Sequence, residues 1–78
     1  MNLKKGELIE LDEDNNEYVV VETITDNNEN YVVLSTTEEP IELKVCKEEF
    51  EGTDVFLTEV EKQKEIDNII GKLNKESN

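Results

Sequence analysis

The sequence predicts an α+β fold: a small antiparallel sheet of four to five strands with one C-terminal amphipathic helix packed on it. Three observations lead there. Short runs rich in Val, Ile, Thr and Tyr recur between Glu7 and Val60, clusters of Asp, Asn and Gly punctuate them, and after about Thr58 the apolar period lengthens from two to nearly four. At 78 residues the chain makes one domain, placed at residues 1–73, with residues 74–78 expected to be a disordered tail.

The elements follow in order. "ELIEL" (Glu7 to Leu11) sets Ile9 and Leu11 on one face of a weak edge strand. "DEDNNE" is a turn by composition, because short Asx side chains bond back to the backbone and tolerate left-handed conformations. "YVVVETIT" and "YVVLSTT" are the strongest strands, and "DNNEN" between them is short enough to close a hairpin. A turn centred on Asn27 and Asn28 places Ile24 opposite Tyr31, Glu22 opposite Val33 and Val21 opposite Leu34. That spreads apolar residues over both faces, so both need at least partial cover. A shift by one residue would regroup the pairs, and the sequence alone leaves the register open.

Pro40 punctuates, and "IELKVCK" then alternates, with Ile41, Leu43 and Val45 on one face and Glu42, Lys44 and Cys46 on the other. "EEFEGTD" reads as an acidic loop and "VFLTEV" (Val55 to Val60) as a last short strand. Ile66, Ile69, Ile70 and Leu73 then line one helical face. "TEVE" (Thr58 to Glu61) has capping-box spacing, with a start two or three residues later equally compatible. Gly71 costs about 1 kcal/mol relative to Ala inside a helix.

Composition excludes several function classes. Hydrophobic residues are 35% and charged residues 37% of the chain, values that approach those of disordered proteins. However, Leu, Ile, Val and Phe number 23, above the roughly 20% share below which chains stay unfolded. The net charge of −13 comes from 21 carboxylates against 8 lysines, without arginine or histidine. A chain this acidic is repelled by nucleic acid and by anionic membranes, so neither is an expected direct partner. Residues 1 to 39 hold 11 acids and 2 lysines, and residues 40 to 78 hold 10 acids and 6 lysines. A cationic partner is expected to meet the first half. One cysteine, Cys46, fits a reducing compartment. No stretch has the length of a signal-peptide core or a membrane span, so a cytoplasmic location is expected.

The succession of an acidic turn, "EYVVVETI", a polar turn, "NYVVL", "EEPIELKV", an acidic Gly-containing loop, "VFLTEVE" and "EIDNIIGKL" resembles the YrzB-like family of short acidic Firmicutes proteins, a domain of unknown function. The likeness spans roughly Glu7 to Leu73 and rests on pattern and acidity. Asn15, Asn16, Asn27 and Asn28 stand where that family more often has Gly. The resemblance implies a cytoplasmic protein of a Gram-positive bacterium and supplies no catalytic residues.

Candidate sites are few. Asp12, Asp14 and Asn16 match positions 1, 3 and 5 of a calcium loop, as do Asp26, Asn28 and Asn30, but Glu17 or Tyr31 stands where Gly is needed and Thr23 or Thr37 where Glu is needed. Plain turn chemistry is the reading, with no metal and no cofactor. Cys46 has no histidine to activate it and reads as a packed or edge residue. Glu22, the acid inside an apolar run, reads as an edge or snorkelling side chain rather than a proton donor. Phe50 is flanked by acids, which suits docking on a basic, partly apolar surface, but a core this small is expected to recruit it. Tyr18 and Tyr31 read as cross-strand packing, and the helix stripe as core rather than a dimer seam, giving a monomer or weak homodimer. The expectation is a non-enzymatic acidic module that binds a basic protein partner. Its rival is a nucleic-acid mimic, which needs carboxylates in rows at phosphate-like intervals instead of crowded in turns, and an enzyme ranks last.

Overall fold

A pair of asparagines closes the central hairpin. Asn27 and Asn28 sit at φ 52° and 64°, the two left-handed residues of a type I′ turn, whose twist matches that of the strands it joins. A computed structural model describes residues 3–11 and 14–76, the last two by backbone only. In it β1 (Leu8–Glu10), β2 (Glu17–Asp26), β3 (Glu29–Thr36), β4 (Leu43–Glu51) and β5 (Asp54–Glu59) precede one helix, α1 (Gln63–Glu76). The strands form a single antiparallel sheet in the order β1-β2-β3-β4-β5, and α1 packs against it.

The register around the turn is the expected one as far as Ile24↔Tyr31 and Glu22↔Val33, but Leu34 faces Val20 instead of Val21. Val21 is the extra residue of a β-bulge between Val20 and Glu22. Its effect is large, because strict alternation would carry Ile24 to the same face as Tyr18 and Val20. The bulge switches the phase. Tyr18 and Val20 now face one side with Val32, Leu34 and Cys46, while Ile24 faces the other with Tyr31, Val33 and Val45.

Each side has its own core. On one, Ile69 of α1 is fully buried over Ile24, Val33, Val45 and Val60, with Ile66, Ile70 and Leu73 at its flanks. Burying one such aliphatic side chain stabilises by about 1.5 to 3 kcal/mol, so α1 is a main source of cohesion. On the other, Leu11 and Asp14 of the β1–β2 connection reach across β3 to Cys46 and Lys44, and Leu3, Ile9 and Leu57 close the margin. That connection replaces a second helix.

Several boundaries differ from the sequence reading. Most of "EEFEGTD" is strand: β4 continues to Glu51, and only Gly52 and Thr53 turn before Asp54. Gly52 has φ +63°, and a left-handed first turn residue is the mark of a two-residue type II′ hairpin. β4 begins at Leu43, so Ile41 and Pro40 lie in a connection held by Thr36, whose Oγ1 accepts from Glu42 N at 2.9 Å. Val45 is buried as the alternation implied, whereas Leu43 is 55% exposed and Ile41 59%.

The helix starts at Gln63, later than either expected start. Thr58 and Glu59 stay in β5, and Val60 N donates to Val45 O at 2.9 Å, so the sheet ladder holds the residues a capping box would need. At its other end α1 passes Leu73 and reaches Glu76. Residues 77 and 78 of the expected tail lie outside the described residues.

Candidate functional site

The acidic β1–β2 turn is a structural clasp. Tyr18 OH donates to Asp14 Oδ2 at 2.7 Å, Asn16 N donates to Asp14 Oδ1 at 2.9 Å, and Lys44 Nζ lies 3.3 Å from Asp14 Oδ2. Lys44 also sits 3.5 Å from Glu59 and 5.3 Å from the centroid of the Tyr18 ring. The bond from Tyr18, then the Asn16 amide and Lys44, hold the Asp14 carboxyl below its ordinary range. Burial works against the Lys44 charge, yet Tyr18, Asp14 and Glu59 outweigh it and raise its pKa above the usual lysine value. Asp12, the first position of the calcium-loop pattern, lies outside the described residues.

The second acidic turn is also spoken for. Asp26 accepts from Asn68 Nδ2 at 3.0 Å and pairs with Lys72 at 3.3 Å, which ties the β2–β3 hairpin to α1. Asn30 Nδ2 donates to Glu48 Oε1 at 3.0 Å and its Oδ1 accepts from Thr25 at 2.9 Å, satisfying in part a carboxylate that is only 3% exposed. Among the described residues no group of three or more His, Cys, Asp or Glu is placed to hold a metal ion. The cavity beside Asn30 and Glu48, with Leu3, Thr23 and Thr25 in its wall, has a volume of ≈ 220 Å³, below the roughly 300 to 1,000 Å³ of ligand pockets.

The remaining candidates resolve one by one. Cys46 is buried in the middle of β4, away from solvent. Glu22 is half-buried and pairs with Lys5 at 3.3 Å. Tyr18 and Tyr31 are both core residues with bonded hydroxyls. Tyr31 OH donates to Glu65 Oε2 at 2.7 Å, and that bond, with burial and the charges of Glu65, Glu29 and Asp26, pushes the phenol up to about 12.

Phe50 overturns the expectation of a core residue. It is 60% exposed, directly opposite Val55 on β5. Val55 is 44% and Phe56 45% exposed, and Glu49, Glu51 and Asp54 surround them on the same hairpin. Sequence reasoning missed Val55 and Phe56. The signal was present: adjacent large apolar residues on a strand project to opposite faces, so an edge strand with a thin core cannot hide both. A second row, apolar except for Ser35, crosses the helix-side face through Leu8, Val19, Ser35 and Leu43, and its two ends, Leu8 and Leu43, are exposed.

No helix among the described residues is long and apolar enough to cross a membrane. Compared with protein-family models, curated proteins and solved structures, the chain matches none.

Proposed function

We propose that this chain is a non-enzymatic, acidic interaction module that binds a basic protein partner. One observation carries the reading. Among the described residues Lys5, Lys44, Lys47 and Lys72 are each ion-paired with carboxylates of the chain itself, so these lysines serve internal pairing. Glu17, Glu38, Glu39, Glu42, Glu51 and Asp54, by contrast, stand exposed in a chain of net charge −13. Such a surface speeds encounter with cationic proteins and selects against anionic ones, and the attraction weakens as salt shortens the Debye length.

The roles of three carboxylates support the non-enzymatic part of the reading. Asp14, Asp26 and Glu48 are committed to hydrogen bonds and ion pairs that hold the fold, and Cys46 is buried without a neighbouring base of the histidine type. Capture from a native lysate on the immobilised chain, at low and moderate salt, tests it. A basic protein bound in stoichiometric amount and released by salt is the expected result. If that protein binds nucleic acid and DNA competes with the chain for it, the module acts as a mimic. A blank at both salts overturns the proposal.

A further inference from the structure

The hydrogen bond from Val60 N to Val45 O, 2.9 Å long, fixes the phase of the whole β4–β5 ladder. Residues of an antiparallel strand alternate between those that bond to the partner strand and those whose N–H and C=O turn away from it. Following the register from the Val45–Val60 pair, Glu59, Leu57 and Val55 turn their backbone groups away from β4. β5 is the last strand of the sheet, so these groups face a side on which no further strand lies among the described residues.

Sheet edges are ordinarily kept short, twisted or studded with charge to prevent pairing with other chains. This edge has the charge, in Asp54 and Glu59, but it also keeps Val55 exposed on one face, next to Phe50 of β4, and Phe56 on the other. Apolar side chains on both faces and outward backbone groups between them are what an added strand uses.

We propose that β5 receives an extended cationic segment of the partner protein, with alternating apolar and basic residues, as a sixth strand. The sign of that segment rests on the acidic-module reading; its place and its mode of binding are new. Charge also decides against a second copy of this chain. Two β5 edges side by side would press together two chains of net charge −13, each with Asp54 and Glu59 on that strand, whereas lysines on an incoming segment reverse the sign. The incoming strand bonds to Val55, Leu57 and Glu59 and lays apolar residues beside Val55 on one face and Phe56 on the other.

The test is an amide NMR titration of the full chain with a short synthetic peptide alternating lysine and valine, with exchange protection read residue by residue. The expected result is slowed exchange at Val55, Leu57 and Glu59, and an affinity that falls as salt rises. The same peptide methylated on the backbone nitrogens of its binding edge loses about tenfold or more in affinity, because two or more net hydrogen bonds disappear. Val55→Pro removes one outward N–H without touching a bond to β4 and weakens binding as well, while the peptide-side comparison needs no variant to fold. Equal binding by the methylated peptide, or perturbation confined to α1 or to the Leu8–Leu43 row, overturns strand addition and leaves the acidic-module reading standing. Protection of β5 that grows with protein concentration alone assigns the edge to a second copy and overturns the inference. Absence of saturable binding at low salt overturns it too, and the lysate capture then decides the broader reading separately.

Discussion

At the scale of single residues, backbone conformation was the most legible feature and side-chain exposure the least. Asn27 and Asn28 announced their turn because Asn tolerates the left-handed region at little cost, and both occupy it. The Val21 bulge gave no such sign, since Val19, Val20 and Val21 are chemically identical and only the packing of two opposed faces selects which one is extra. Gly71 offers a clean test. It lies inside α1 without a positive φ, and apart from its chain neighbours and the helix's own backbone nothing stands within 4 Å of where a Cβ would be. Gly71→Ala is therefore expected to stabilise the chain by about 0.5 to 1 kcal/mol, read as a higher midpoint in urea. Tyr31 provides a pH test. Its phenol is raised in the folded chain to about 12 from the ordinary 10.0, so its contribution is complete below pH 10. It is lost as pH rises through 12, because the unfolded phenol ionises first. Tyr31→Phe should flatten that alkaline loss in a series of denaturant midpoints.

At the scale of elements, the strands were legible and their limits were not. Local composition marked "EEFEGTD" as loop, but pairing from Glu51↔Asp54 back to Cys46↔Glu59 extends the hairpin through it. The same ladder holds Thr58 in β5 and moves the helix start to Gln63. Long-range hydrogen bonds overrode a local capping signal, which sequence inspection cannot weigh. The stripe of α1 was clear from spacing alone, and Ile69 anchors it at zero exposure. Ile69→Ala should cost about 2 to 5 kcal/mol, the range for emptying a buried aliphatic site. Ending the chain after Glu61 removes α1 and uncovers Ile24, Val33 and Val45, so cooperative thermal unfolding should vanish. A truncated chain that still melts in one sharp transition would show that the sheet stands without its helix.

At the scale of the whole molecule, charge is the dominant property and was fully visible in composition. What composition hid was its distribution: among the described residues Lys5, Lys44, Lys47 and Lys72 are taken up in internal pairs, and the exposed aromatics sit in the second half of the sequence, at the β4–β5 hairpin. A net charge of −13 repels itself, so raising ionic strength from about 0.01 to 0.15 M, which shortens the Debye length from about 30 to 8 Å, should raise the melting temperature. In the proposed function, exposed carboxylates recruit a basic protein. Its most direct test is parallel capture from one lysate by the natural chain and by a variant carrying Glu38→Gln, Glu39→Gln, Glu51→Gln and Asp54→Asn, all at exposed positions, with both chains shown to be folded by circular dichroism. A salt-released basic protein is expected to be retained by the natural chain and lost or strongly reduced on the variant. Equal retention by the two chains would contradict it.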